Sequence, residues 1–474
     1  GITAQNVGTH GHRDALSVSM FAYGKFLVTD QGYGAILTGN KREYMISPQQ
    51  HNVVTVNDYK NYLDPETNLV LEDINDSLAT YEKYGEGTQL CFDSNNQYDF
   101  VEYSTKSYLE TELSQRSVMF LKNQKIWIVT DYIIPQDLEK ENVYTQNWHL
   151  YPGSNMTFSD TKTIRSNFVN EPNVMLVPVD YENIYMIKKE KTLFSEDSGQ
   201  FLSSEKAVLW KTKTGKTIYS TIILPMDVGE NYTVTSNTLE CSLKTDYDEV
   251  NAFSFTVTDN NGKVSNYTYY HLNDESLKTT VTVGGYKTDA QTLLVEEDEE
   301  GNIVSLYMVK GTFVNKGHAV IINADEDSSV AFTVADGVLE IHTMEGIQAL
   351  SNIRINMSFE NEVRFDFTMG VPYTVDENGM MNFEESKWII SAKKINNNNI
   401  KVTVNSADNN YSQKPTLVIA EYDSQKRMQD VYAIEIISRY EQLYNVTEGV
   451  ASYKAFLFNN LEEVIPLAGN GFVD

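Results

Sequence analysis

The stretch KIWIVTDYII, residues 125–134, decides how this chain folds. Side chains of a strand alternate between its two faces, so Ile126 and Ile128 point one way while Trp127 and Val129 point the other. Its β-branched and aromatic residues suit a pleated, half-buried surface. Outward from it, runs of the same kind recur at residues 52–56, 216–223, 253–258, 303–310, 352–359 and 401–404. Between such runs stand DNNG at 259–262, DEEG at 298–301 and DENG at 376–379. These are hairpin signals, because Asn, Asp and Gly accept the left-handed backbone of a tight turn. The acidic run 296–300 belongs to the second of them and reads as a solvated tip rather than a cation site. Helical periodicity is confined to short pieces near 72–84 and 136–142, and no repeat of fixed period is evident. The expected class is all-β: a large antiparallel β-sandwich of two stacked sheets, followed by small immunoglobulin-like β-sandwich modules.

The 474 residues exceed one ordinary domain. The expected division is a main sandwich over 1–343, a small β linker or subdomain over 344–386, and an immunoglobulin-like accessory sandwich over 387–474. A hydrophobic share of 41% supports packed cores rather than disorder. The net charge of -29 argues against a nucleic-acid binder, which needs a basic surface, and fits the solubility of a secreted or cell-surface protein. The same charge makes an anionic polysaccharide an awkward ligand unless a basic patch or a metal offsets the field. Two cysteines, Cys91 and Cys241, exclude a disulfide framework and leave a single bridge open. No apolar run approaches the roughly 18 residues of a membrane span. The chain opens at Gly1 without Met or a leader, so a preceding segment is expected.

Of seven histidines, three fall within the first 51 residues. His10 and His12 flank Gly11 and share one side of an extended chain. Asp30 closes the strand expected at 25–30, and His51 opens the one expected at 51–56. Strands joined by turns can bring His12, Asp30 and His51 to one end of a sheet. Two imidazoles and a carboxylate, with water as a fourth ligand, suit Zn²⁺ above all, though Ca²⁺ and Mn²⁺ also tolerate mixed ligands. Spacing alone leaves the plainer reading open, in which each histidine is a surface or hydrogen-bonded core residue. Asp14 could orient a neighbouring imidazole or serve only a turn or salt bridge. Tyr33 and Arg42 could line a cleft or be ordinary loop residues. His149, His271, His318 and His342 read as structural or exposed. Trp127 and Trp148 read as core packing before a sugar platform.

The phrases HGHRDALS at 10–17, YGKFLVTDQG at 23–32 and HNVVTVN at 51–57 stand in order, followed by QRSV at 115–118, IWIVTD at 126–131 and WHLYP at 148–152. In this set the chain resembles the C-terminal region of the heparinase II/III-like family of polysaccharide lyases, strongly at the start and less so after Gly153. The resemblance implies a metal on His12, Asp30 and His51, bound to protein rather than directly to substrate. It implies that His10 reaches toward the uronate of an acidic glycan, heparan sulfate-like or alginate-like, that is cleaved by β-elimination. It also implies a partner: an N-terminal α/α toroid domain carrying the remaining catalytic groups, without which this chain should be inactive.

Near the end, LVIAEYD at 417–423 and KAFLFN at 454–459 resemble a small accessory module of secreted Gram-positive carbohydrate-active enzymes. Phe458 and Asn459 replace the Trp and Asp usual there, so a spacer or packing role is expected. The rival to the lyase reading is a non-catalytic secreted protein that binds glycan or packs in a cell-surface assembly. A cupin-like metal oxidase is the third, with nothing in the sequence to mark its pocket.

Overall fold

In this computed structural model the described residues are 12–30, 44–58, 87–95, 97–108, 110–184, 186–195, 201–243, 249–317, 319–335, 338–342, 353–356, 364–365, 373–375, 380–383, 388–396, 399–406, 414–423, 425, 427–437, 440–445, 450, 452–459 and 471–473. They form an all-β chain whose strands gather into two compact units, residues 1–284 with 291–303, and residues 285–290 with 304–474.

The first unit opens with β1 (Met20–Ala22), β2 (Lys25–Val28), β3 (Val54–Val56), β4 (Thr88–Ser94) and β5 (Tyr98–Thr105). Next come β6 (Thr111–Leu121), β7 (Ile126–Pro135), β8 (Glu141–Leu150), β9 (Thr157–Phe158) and β10 (Ile164–Arg165). The run continues with β11 (Asn173–Pro178), β12 (Met186–Ser195), β13 (Phe201–Thr214) and β14 (Thr217–Met226). One sheet has the order β1-β2-β8-β13-β12, with β3 also on β8; a second has the order β4-β5-β6-β7-β14-β11-β10-β9. Their facing side chains make one core, including Leu27, Val54, Val129, Ile133, Trp148, Leu176, Leu209 and Ile223. Each such aliphatic side chain contributes roughly 1.5–3 kcal/mol by leaving water.

A third sheet follows, in the order β15 (Thr233–Thr238), β16 (Val250–Thr258), β17 (Val264–Leu272) and then Thr292–Glu297. It covers the other face of the second sheet, which explains why KIWIVTDYII is buried almost throughout rather than on alternate residues. Val129 and Ile133 enter the first core. Thr130, facing the opposite way, accepts a hydrogen bond from Asn251 Nδ2 at 3.0 Å. The DNNG and DEEG turns form as expected: Gly262 and Gly301 have φ of 80° and 82°, and Asp259 and Asp298 accept backbone N–H groups across each turn.

Two local expectations are corrected. Residues 136–142 are not a helix: 136–140 connect β7 to β8 and 141–142 open β8; Asp137 Oδ1 accepts the N–H groups of Glu139 and Lys140, which turns the chain back. His51 follows a one-turn 3₁₀ helix, Pro48–Gln50, and the strand starts only at Val54. No disulfide joins Cys91 and Cys241. The helical candidate at 72–84 and the DENG turn lie outside the described residues. No helix among the described residues is long and apolar enough to cross a membrane.

Within the second unit, Ala319–Ala335 pairs with Ile303–Lys316, Val338–His342 and Ile353–Asn356. Further on, Trp388–Asn396, Asn399–Ser406 and Tyr440–Asn445 form one sheet, and Met428–Glu435, Thr416–Tyr422, Ser452–Phe458 and Gly471–Val473 another. Trp388, Val402, Leu417, Ile419, Tyr453 and Leu457 share a core. Phe458 is buried.

Candidate functional site

Three chain segments of the first unit meet beside β8. The first, after His12, turns at Asp14, whose carbonyl accepts the Ser17 N–H at 2.8 Å. Leu16 within it has a φ of 69°, a left-handed conformation that a branched side chain adopts only when its surroundings impose it. The second leaves β2 through Thr29 to Asp30. The third leaves the Pro48–Gln50 turn at His51.

One ring nitrogen each of His12 and His51 and a carboxylate oxygen of Asp30 all lie within 4.8 Å of one another. The two rings stand 5.2 Å apart between centroids. His51 is wholly buried, and its Nδ1 lies 2.7 Å from Asp30 Oδ2. An ionised carboxylate only accepts, so Nδ1 carries the proton. Nε2 of the same ring is buried with no hydrogen-bond partner.

The field here favours positive charge. Burial pushes the His51 imidazole toward its neutral form, but Asp30, by charge and hydrogen bond, and Asp14 outweigh it and raise its pKa. Asp14 is itself raised by burial, opposed by His51 and assisted by Asp30. A cation among these side chains answers that field, and two imidazoles with a carboxylate are donors that suit one. These residues could therefore hold a divalent metal ion, and nitrogen-rich mixed ligation favours zinc over calcium.

Around this cluster the chain builds a buried polar frame. Asn52 Nδ2 donates to the carbonyls of Val18, at 2.8 Å, and Thr29, at 2.9 Å. Its Oδ1 accepts the His149 N–H at 2.7 Å and faces His149 Nδ1 at 3.0 Å. Burial, then the Lys206 ammonium and His51, holds His149 well below the usual histidine range, so it is neutral. Arg116 of β6 is fully buried; its Nε and Nη2 clasp Asp131 of β7 at 2.6 and 2.8 Å. Its Nη1 donates to the carbonyls of Leu16, at 2.8 Å, and Asn52. Gln146 Nε2 adds a hydrogen bond to Asp131 Oδ2 at 2.8 Å.

The structure thus brings His12, Asp30 and His51 together. His10, Tyr33 and Arg42 lie outside the described residues. Asn52, Arg116 and Asp131 stood in the sequence phrases without a role. The signal for them was chemical: an arginine and an aspartate in otherwise apolar strands must find each other, or another partner, inside.

A second buried cluster lies between β5, β6 and the third sheet. Glu102, fully buried, accepts from Gln115 Nε2 at 2.8 Å and Gln291 Nε2 at 3.1 Å, and its Oε1 lies 2.9 Å from His271 Nε2. His271 Nδ1 lies 2.9 Å from Thr292 Oγ1.

Comparison with known proteins adds the following. Residues 2–292 match the family described as heparinase II/III-like, C-terminal. Among solved structures the chain is similar to heparan sulfate lyase HepC from Pedobacter heparinus, at 18% identity and a TM-score of 0.44, over 58% of this chain and 39% of that one. It is also similar to a heparinase III structure, at 15% identity and a TM-score of 0.40, over 54% of this chain and 36% of the other. The chain therefore spans less than two fifths of the length of these relatives. No curated protein matches it.

Proposed function

This chain belongs to the heparinase II/III-like C-terminal family, and on that premise we propose that it is the β-sheet part of a secreted or cell-surface polysaccharide lyase acting on uronate-containing glycans. The observation that carries the reading is the convergence of His12, Asp30 and His51 within 4.8 Å. We take these three as ligands of one divalent metal, zinc before calcium or manganese. When bound, the metal supplies fixed positive charge and a tie between three loops beside the glycan cleft.

β-Elimination places demands that fit such a division. The uronate carboxylate must be neutralised so that the C5 proton becomes acidic. A base takes that proton, the C4–O bond breaks, a C4–C5 double bond forms, and an acid protonates the departing oxygen. His10 is two residues from His12, so whatever fixes the His12 loop limits where His10 can reach; we assign it to the uronate. The base and acid belong to an α/α toroid partner domain of the same protein. The net charge of -29 makes local positive charge a requirement for holding an acidic polymer.

The test has two arms. Metal analysis should find about one zinc per chain in the wild type and none in His12→Ala, and equal metal in both would overturn the ligand assignment. On heparan sulfate-like and alginate-like glycans, this chain alone should produce no ultraviolet absorbance from unsaturated uronates. Turnover by the isolated chain would overturn the division of labour.

A further inference from the structure

We infer that Asn52 and Arg116 are positioning residues that hold the three ligand-bearing segments in register; the inference rests on the metal reading above and deepens it.

Neither residue can coordinate the ion: Arg116 is a cation, and the amide of Asn52 is fully occupied. What they do is join the segments. Asn52 follows His51 directly, and its Nδ2 donates to Val18, on the segment that carries His12, and to Thr29, next to Asp30. One amide nitrogen therefore connects all three stretches of chain. Its backbone N–H donates to Ser17 Oγ at 3.1 Å, a second link to the first segment. The amide oxygen is turned the other way, onto His149 of β8. The position demands two donors on one side and an acceptor on the other. Aspartate would set its oxygens against two carbonyls, and leucine would leave both carbonyls buried and unmet.

Arg116 works from the neighbouring sheet. Its fork is locked by Asp131, and the remaining nitrogen reaches Leu16 and Asn52, carbonyls of the first and third segments. Leu16 is the residue in the left-handed conformation, so the strained turn after His12 is held where Arg116 grips it. Lysine keeps the charge at this position but offers one nitrogen where the guanidinium uses three.

Three loops that must meet at one ion pay an ordering cost on binding unless it is met beforehand by such a frame, and partners outside the ligand set are commonly worth 10–100-fold in metal affinity. The test compares wild type, Asn52→Ala, Arg116→Lys and the control Gln115→Ala. The control removes a buried polar side chain from the same strand as Arg116, but from the Glu102 cluster. Zinc affinity would be measured by chelator competition, and the site geometry by the visible spectrum of the Co²⁺-loaded protein.

We expect about a 10–100-fold loss of zinc affinity in Asn52→Ala, about 10-fold in Arg116→Lys, and an altered Co²⁺ spectrum in both. Gln115→Ala should bind as wild type with an unchanged spectrum. Variants that bind as tightly as wild type, or a control that loses as much as they do, overturn the inference and leave the ligand assignment standing. A wild type that takes up no zinc overturns both. Where Asn52→Ala gives no folded protein, Asn52→Ser and Arg116→Lys carry the same comparison.

Discussion

Two imidazole–carboxylate pairs built on buried histidines lie in the first unit, and they end differently. His271 and Glu102 sit 2.9 Å apart, and each remaining bonding group on the histidine has a protein partner: Thr292 takes Nδ1, while Gln115 and Gln291 hold the carboxylate. His51 and Asp30 sit 2.7 Å apart, yet His51 Nε2 is buried with nothing to bond, and a second imidazole stands beside it. The same pair of functional groups thus makes a closed polar clamp in one place and an open valence in the other. The pairs also differ in burial, Asp30 being partly exposed and Glu102 fully buried, and in company: at Asp30 a second imidazole completes a group of three donors.

The comparison can be broken most forcefully at the closed pair. Glu102→Ala removes a carboxylate that faces three side-chain nitrogens, leaving Gln115 only the Asn273 carbonyl, and should cost about 3–5 kcal/mol in denaturant unfolding. Zinc content should not change. A loss of zinc there would mean that the two clusters are one system.

At the open pair the effect is conditional. His51→Ala should abolish the stabilisation that zinc gives the wild type, about 2.7 kcal/mol at a hundredfold excess over Kd, seen as a thermal shift that zinc no longer produces. His271→Ala should keep that shift. If His51→Ala also keeps it, the open valence binds nothing.

The smallest effect sharpens the contrast through pH. Tyr267, Tyr269 and Tyr270, on the strand that carries His271, are held above the ordinary phenol range chiefly by burial. The unfolded phenol ionises near 10, so the stability these groups lend is complete below about pH 10 and declines above it, by up to about 1.4 kcal/mol per pH unit for each. Ultraviolet titration should show these phenols ionising together with loss of structure. Phenolate formation in a still-folded protein would show that the third sheet is looser than its packing implies.

Much of this was legible in the sequence where the physics is local. Alternation marked the strands, and the DNNG and DEEG turns were read from residues that must sit in left-handed backbone. His12, Asp30 and His51 were legible through the phrases that carry them. What was not legible is what depends on distant chain. Glu102 and His271 are 169 positions apart, and nothing near either predicts the other. The third sheet was hidden for the same reason: KIWIVTDYII reads alike whether one face or both are covered. Residues 136–142 misled because Leu, Glu and Lys are good helix formers, while the five residues 136–140 between two long strands leave room only for a turn.

The double cover of β7 has a bearing on how the protein can be cut for study. A fragment ending after Met226 would retain every candidate ligand, yet it would turn Glu102, Gln115, Thr130 and Tyr132 from interior groups into a bare sheet face. Exposed flat sheet invites self-association, so such a fragment is a poor starting material for crystals or assays. Keeping that face covered requires the chain to run at least through Glu297, the end of the covering strand.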